Sequence, residues 1–399
     1  MKTQQSNRHS GWLIAAAFIG PGTVTTASIA GAQFGFSVLW ALLFSIVATL
    51  MLQEMAVRLG VITKHGLANA IYSQFNSPLG RWIAAALIIS AIGIGNAAYQ
   101  GGNLTGAALG LHQITQLPMP VWVLSLAFIA GLLLWFGSYK HIEKTLLVLV
   151  ATMSIIFLIT AIVAKPDWAV LLSDALSPRF DATTLTIVLA LIGTTVVPYN
   201  LFLHASIVSQ YQTDADEELK SQRRSSMLAI CVGGIITLAI LTTASAAFYQ
   251  AEVPLTAGNI ANQLQPLLGD WASNVFALGL FAAGLTSAIT APLAAGYAVC
   301  GALNLSSDIN SSPFRIVWLT VLLIGALAAS VGLKPLVVML FAQATNGLLL
   351  PFIAVFLLFA MNSKERLGDY RNSLLMNIAG GAIVLFTIAL GFRKLITVF

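Results

Sequence analysis

Two short stretches decide the fold: Gly20-Pro21-Gly22-Thr23 and Val197-Pro198-Tyr199-Asn200. Each interrupts an apolar segment, Gly11 to Ala32 and Thr183 to Ser209, that is long enough to cross a bilayer. Glycine and proline end helices, and lipid cannot satisfy the backbone groups that they free, so those groups line a cavity or bind something. Paired broken helices at matching positions of two halves are the best sequence sign of a transporter's substrate site.

The composition is that of a polytopic membrane protein. Of 399 residues, 58% are hydrophobic and 8% are charged, whereas a soluble domain has about 25% charged residues. About eleven segments have the roughly 20 apolar residues that a spanning helix needs. They start near Gly11, Phe36, Trp82, Pro118, Lys144, Thr183, Met227, Trp271, Pro313, Pro335 and Asn372. The first lacks a small-residue cleavage motif, so we expect a retained helix and not a signal peptide.

The basic residues predict the orientation of the chain. The formal net charge is +5, and most of the 19 Lys and Arg residues fall on one side of the membrane if the N-terminus is cytoplasmic and the helices alternate. The basic balance therefore reflects topology, and no nucleic-acid partner is expected. We predict an integral multi-pass protein of the plasma membrane, which is the inner membrane in a bacterium.

The two broken segments divide the chain into similar halves. Each opens a run of five predicted helices, so the second half is inverted relative to the first. We predict a single all-α membrane domain over 1–399. It contains a first inverted repeat at 11–165, a second at 183–361 and an extra helix at 370–399.

Several stretches resemble helices of a known family. They are Gly20 to Thr23, Ala30 to Phe36, Leu52 to Gly60, Gly193 to His204, Ala283 to Ala294 and Ala342 to Phe352. In order and spacing they are similar to helices 1, 2, 6, 8 and 10 of the NRAMP family of proton-coupled divalent-metal transporters, across nearly the whole chain. The resemblance implies a LeuT-type fold of about eleven helices, with helices 1 and 6 broken at the midplane. It also implies alternating-access transport with protons as the coupling ion.

The sequence departs from this family where the metal is held. The family reads Asp-Pro-Gly-Asn at the first break and Met-Pro-His at the second, and it binds the metal through the Asp, the Asn, the Met sulfur and a backbone carbonyl. The matching positions here are Gly20, Thr23, Val197 and Tyr199, with Thr194 at the carbonyl position. The acidic pair that the family carries on helix 3 matches Asn96 and Tyr99. The resemblance therefore leaves the metal unknown.

Two sets of residues are candidates for function. The predicted substrate site comprises Gly20, Thr23, Thr194, Val197, Tyr199 and Asn200. The residues predicted to line the pathway or act in gating are Asn96, Tyr99, Gln100, His204, Gln343 and Asn346. Asn96 and Gln100 share one helical face with Tyr99, for which interhelical hydrogen bonding is the alternative. His204 lies within a predicted span and suggests a proton-relay or gating role, with a packed neutral histidine as the alternative.

Two substrate classes remain open. The resemblance implies a divalent cation, but the acidic residues fall in loops or, for Glu54, at a helix end, so no carboxylate is expected near the midplane. The positive end of the half-helix after Gly22 could accept a small anion, and Thr23, Tyr199 and Asn200 could bind a neutral polar solute. The expected partners are thus a small inorganic ion or polar solute, the lipid bilayer and protons. No catalytic constellation occurs in the spans, so neither an enzyme nor a cofactor is expected.

Overall fold

Apolar helices make up nearly all of the computed structural model, which describes residues 19–75, 77–137, 140–178, 184–211, 214–251 and 253–396. Helices dominate because a chain in lipid must satisfy its backbone hydrogen bonds within each segment. Within the described ranges, 10 helices are long and apolar enough to cross a membrane. The predicted all-α membrane fold is confirmed. Residues 11–18, the beginning of the first predicted segment, lie outside the described residues.

The helices follow one another in the order that the apolar segments predict. The long helices and half-helices are α1 Pro21–Phe34, α2 Leu39–Thr63, α3 Gly95–Thr115, α4 Met119–Phe136, α5 Lys140–Val163, α6 Leu185–Thr195, α7 Pro198–Val208, α8 Ala215–Phe248, α9 Ala272–Ala302, α10 Ser312–Ser330, α11 Pro335–Met361 and α12 Leu374–Ile396. Helix Pro78–Ile88 and a π-helical turn at Ile89–Ile94 lead directly into α3. The connections contain short helices at Leu67–Tyr72, Trp168–Ala175, Ile260–Leu264, Gln265–Leu268, Gly269–Trp271, Lys364–Leu367 and Gly368–Tyr370.

Helix α8 begins earlier than the sequence predicts. It starts at Ala215 and not near Met227, because Asp214 caps it by accepting hydrogen bonds from the backbone N–H groups of Asp216 and Glu217. Acidic side chains in this first turn also suit the positive end of the helix. The polar stretch before Met227 is therefore ordered helix, and part of it is buried.

The second helix break and the start of α1 lie where glycine and proline predict them. α6 ends at Thr195 and α7 begins at Pro198, so the second segment is broken as predicted. α1 begins at Pro21, with Gly20 in extended conformation at its N-cap. Proline fits the first turn of each new helix because its missing N–H would have no helical partner there. Two helix N-termini and the C-terminus of α6 thus lie within the membrane-spanning bundle.

Glycines bring the broken helices against α11. A Cβ at Gly193 would overlap the α11 backbone at Gln343 and Gly347, and a Cβ at Gly347 would overlap the carbonyl of Leu189. Small residues permit this backbone contact between membrane helices. The last turn of α6 is therefore held directly beside the middle of α11.

One of two amide side chains of α3 that bond α9 compensates for a proline inside that helix. Pro292 has no N–H, so the carbonyl of Ala288 loses its helical partner. Gln100 Nε2 donates to that carbonyl at 2.9 Å, and Asn96 Nδ2 donates to the carbonyl of Ala291 at 3.0 Å. This geometry favours the interhelical alternative for Asn96 and Gln100 over the predicted pathway role.

Candidate functional site

A hydrogen bond joins the two helix breaks. Thr23 Oγ1, in the first turn of α1, lies 2.8 Å from Thr194 Oγ1, in the last turn of α6. Both side chains are buried. The structure thus brings together two of the predicted substrate residues that are 171 positions apart in sequence. The broken segments form one site and not two separate ones.

The position of Gly20 faces hydroxyl groups from two other helices. A Cβ at Gly20 would lie 3.1 Å from Ser287 Oγ of α9 and 3.7 Å from the Tyr99 hydroxyl of α3. The Tyr99 ring packs edge-to-face on the Tyr199 ring, with centroids 5.3 Å apart. Tyr99, predicted for the pathway or gating, therefore lies beside Gly20 and Tyr199. Ser287 was not predicted to do so, because a lone serine in an apolar segment carries no sign of the direction in which it points.

Two residues of α11 complete the surroundings of the breaks. The Gln343 side chain fills the space that a Cβ at Gly22 would need, so it lies against the first turn of α1. One turn further along α11, Asn346 lies beside Gly193, with its Cβ 3.1 Å from the position of a Cβ there. Both residues predicted for the pathway from this helix are thus next to the breaks.

Five buried side chains around the breaks carry polar atoms that make no hydrogen bond within the described chain. The atoms are Tyr199 Oη, both amide atoms of Asn200, Ser287 Oγ, Gln343 Oε1 and Asn346 Nδ2. The Tyr199 hydroxyl lies near those of Tyr99 and Thr290 but makes no hydrogen bond of standard geometry with them. We call these five residues, each at most 5% exposed, the break cluster. An unpaired buried polar group costs about 1–3 kcal/mol, so a group of them points to a ligand.

The break cluster contains no charged side chain. Helices α1, α3, α6, α7, α9 and α11 carry no Asp, Glu, Lys or Arg, and Val197, at the position of the family's methionine, is apolar and buried. No group of three His, Cys, Asp or Glu that could hold a metal occurs in the part of the chain that the structure covers. The donors at the breaks are hydroxyl, amide and carbonyl groups, with the negative end of α6 at Thr195.

His204 belongs to a different buried cluster. Gln53 Nε2 lies 2.6 Å from His204 Nδ1, His204 Nε2 lies 3.4 Å from Gln222 Oε1, and Gln222 Nε2 donates to Glu218 Oε1 at 2.7 Å. An amide donor at Nδ1 makes Nε2 the protonated nitrogen, so a neutral ring fits both contacts. We call these four residues the His204 chain. His204 therefore does not contact the break cluster through these bonds.

Glu218 corrects a prediction from the sequence. The acidic residues were expected in solvated loops or at a helix end, but Glu218 is 1% exposed. It lies in the first turn of α8, which begins before the predicted span, and its carboxylate accepts a hydrogen bond from Gln222 one turn later. A buried carboxylate thus lies two hydrogen bonds from His204.

Charged residues gather at the end of the bundle where α2 ends and α8 begins, which we call the basic end. Glu54 accepts hydrogen bonds from Arg223 at 2.6 and 3.0 Å and lies 3.1 Å from Arg58. Arg58 also donates to the carbonyl of Tyr370 and to Asn372 Oδ1, at 2.9 and 2.7 Å. The network ties α2, α8 and the segment before α12 together. It lies away from the breaks, which remain uncharged.

The chain is similar to metal transporters of bacteria. It is 29% identical over 396 residues to the divalent metal cation transporter MntH of Listeria welshimeri, covering 94% of this chain and 86% of that protein. It is 29% identical over 416 residues to the protein of the same name from Staphylococcus saprophyticus, covering 98% and 91%.

Solved structures share the fold. A variant of the Eremococcus coleocola manganese transporter has a TM-score of 0.77 at 20% identity and covers 96% of this chain and 85% of that one. A nucleobase-cation-symport-1 family transporter in a closed conformation has a TM-score of 0.58 at 12% identity and covers 97% and 93%. The predicted LeuT-type fold is confirmed. The family described as "Natural resistance-associated macrophage protein-like" matches residues 11–397, and the chain belongs to this family, NRAMP, of integral membrane transporters.

Proposed function

We propose that the protein is a secondary transporter that moves a divalent metal cation by alternating access, with the helix breaks as its substrate site. The observation that carries the proposal is the break cluster, where unpartnered polar atoms from α7, α9 and α11 lie around the start of α1 and the gap between α6 and α7. The relatives are named as divalent metal cation transporters. They lend no support to the alternative of a small non-metal solute or an anion.

The donor set indicates which divalent cations suit the site. Hydroxyl and carbonyl oxygens favour hard cations such as Mg²⁺, Ca²⁺ and Mn²⁺, whereas a thioether favours soft ones. Val197 offers no sulfur, and the break cluster offers no carboxylate. Cation affinity falls as charged ligands are lost, so we expect weak binding of about 10⁻⁴–10⁻³ M, the weak end of the range of protein Ca²⁺ sites.

Uptake into proteoliposomes tests the proposal. The purified protein is reconstituted, and Mn²⁺, Mg²⁺ and Cd²⁺ are titrated outside vesicles that hold a metal-sensitive dye, with protein-free vesicles as the control. We expect saturable uptake of Mn²⁺ and Mg²⁺ and weaker uptake of Cd²⁺. Uptake that never saturates would indicate a channel. If no divalent cation enters, while inorganic phosphate or a polar solute is taken up, the metal assignment is wrong.

Protons are the coupling ion that we propose, with His204 as the group that responds to them. The helix 3 positions that are acidic in the family are Asn96 and Tyr99 here and cannot serve, whereas imidazole titrates near physiological pH. His204→Gln keeps hydrogen-bonding atoms for Gln53 and Gln222 but cannot titrate. We expect folded protein whose metal uptake loses most of its dependence on pH. An unchanged pH profile would leave His204 with a packing role only.

The orientation and the internal duplication are part of the proposal. The basic end, with Arg58 and Arg223, faces the cytoplasm by the positive-inside rule, which places the N-terminus there as well. The inverted repeats span 11–165 and 183–361, with the extra helix at 370–399. The proposed orientation is tested by placing a single cysteine at the exposed position 64 or 334, now Lys64 and Lys334. Each variant is labelled in intact cells with a reagent that does not cross the membrane. Only the cysteine at 334 is expected to react.

A further inference from the structure

We propose that Ser287 supplies a ligand oxygen for the transported cation. It takes the role that a side chain at position 20 would have, because Gly20 offers no side-chain ligand. The inference rests on the proposed transport of a divalent cation and names a residue of α9 as part of its site. Its geometric basis is the 3.1 Å between Ser287 Oγ and the position of a Cβ at Gly20. The hydroxyl would thus be in contact with the first atom of any side chain at position 20.

Ser287 differs from the neighbouring hydroxyl residues of α9 because its hydroxyl makes no hydrogen bond to its own helix. Serine and threonine inside helices usually donate to a carbonyl one turn back. Thr286 does so, at 2.9 Å from the carbonyl of Ala282, and Thr290 does so, at 3.1 Å from that of Thr286. Ser287 Oγ makes no such bond and has no other partner in the described chain, although the side chain is 1% exposed. Its hydroxyl is therefore available to a ligand.

The side chains on the two breaks are less suited to the same role. Thr23 and Thr194 share their hydroxyls in a mutual hydrogen bond, and Val197 has no donor atom. The heavy atom closest to the missing Cβ of Gly20 is Ser287 Oγ, and the Tyr99 hydroxyl follows at 3.7 Å. A cation held beside Gly20 would thus have the Ser287 hydroxyl oxygen among its nearest side-chain atoms.

The consequence is a ligand that comes from an unbroken helix. A carboxylate on the broken segment would bring charge, whereas Ser287 brings a neutral, hard oxygen from α9. Replacing this oxygen by sulfur changes the ligand's softness with little change in size. The metal preference then reports whether the atom at position 287 touches the metal, which a purely structural serine would not influence.

The experiment measures metal uptake by Ser287→Ala and Ser287→Cys in proteoliposomes, next to Thr286→Ala and Thr286→Cys as matched controls. We expect Ser287→Ala to raise KM for Mn²⁺ at least fivefold with maximal rate within twofold of wild type. We expect Ser287→Cys to raise the Cd²⁺ to Mg²⁺ uptake ratio at least tenfold, because thiolates bind soft metals. The Thr286 variants should match wild type in both measurements.

Each other outcome has a definite meaning. If wild type moves Mn²⁺ and the Ser287 variants keep its KM and metal preference, the ligand role is wrong and the transport function stands. A lower maximal rate with unchanged KM and preference also overturns it. If wild type moves no divalent cation, both the proposed function and the ligand role of Ser287 are wrong. Size-exclusion profiles verify folding, and should Ser287→Ala aggregate, Ser287→Cys decides alone.

Discussion

The break cluster and the His204 chain are both buried and polar, and both include residues of α7, yet they differ in hydrogen bonding. In the His204 chain consecutive side chains are hydrogen bonded: Gln53 to His204 at 2.6 Å, His204 to Gln222 at 3.4 Å and Gln222 to Glu218 at 2.7 Å. In the break cluster every member keeps at least one polar atom without a partner in the described chain. Satisfied buried groups stabilise a fold, whereas unsatisfied ones lower its stability unless a ligand completes them. The difference predicts that removing a polar atom lowers the stability of the fold in the His204 chain, and that it weakens substrate binding without loss of stability in the break cluster.

The largest effect on stability is expected in the His204 chain. Glu218→Leu removes the acceptor of Gln222 Nε2 and leaves that buried amide without this hydrogen bond. We expect a loss of about 1–3 kcal/mol, the usual cost of an orphaned buried donor, seen as a lower Tm of the purified protein in detergent. Glu217→Leu is the matched control, since Glu217 is the exposed neighbour on the same turn.

Equal Tm values for these two variants would contradict the contrast between the clusters. Glu218 would then act as a surface residue despite its burial. Only the exposed control, Glu217→Leu, is expected to change the free energy of unfolding by less than about 0.5 kcal/mol.

The break cluster should respond in the opposite way. Tyr199→Phe removes a hydroxyl that has no hydrogen bond of standard geometry, so we expect Tm to stay the same or rise. KM for Mn²⁺ should rise by about tenfold, which corresponds to about 1.4 kcal/mol of lost ligand contact. Uptake and thermal unfolding of the same preparation measure both. Tyr72→Phe, on a short helix away from the breaks, controls for loss of a hydroxyl.

A fall in Tm with unchanged KM for Tyr199→Phe would reverse the assignment. The hydroxyl would then belong to the folded framework, through Tyr99 or Thr290, and the cluster would lose the member that lies closest to the second break.

The sequence predicts the local features of this molecule well. Gly20 and Pro198 mark helix ends because their backbone preferences act within a few residues, and the apolar runs predict the spans. The cap at Asp214 predicts where α8 starts, whereas the burial of Glu218 depends on the helices packed beside it, which no local signal encodes.

Other features depend on distant contacts that no short stretch encodes. Ser287 faces Gly20 only because α9 packs beside α1, and an isolated serine looks the same whether it bonds its own helix, as Thr286 does, or faces a ligand. The periodicity of α3 predicts a polar face through Gln100 but not what that face contacts. Pro292, with its freed carbonyl at Ala288, was the signal that could have indicated a partner for Gln100.

The smallest effect is expected at Gln100, which resembles the His204 chain in being satisfied. Gln100→Leu removes the donor to the carbonyl of Ala288 and should lower stability by about 0.6 kcal/mol, the average for hydrogen bonds between membrane helices. KM for Mn²⁺ should not change. If KM rises while Tm is constant, Gln100 lines the pathway and the interhelical assignment is wrong.

A double-mutant cycle tests why Gln100→Leu should lower stability. Pro292→Ala returns an N–H that can reach the carbonyl of Ala288 within the helix, so this carbonyl no longer depends on α3. Gln100→Leu should then cost less in the Pro292→Ala background than in wild type, with a coupling energy of about 0.5 kcal/mol between the two sites. Equal costs in both backgrounds would mean that Gln100 stabilises the α3–α9 contact independently of the proline. Gln100 would then stabilise the fold through packing, and its hydrogen bond to the carbonyl of Ala288 would contribute nothing.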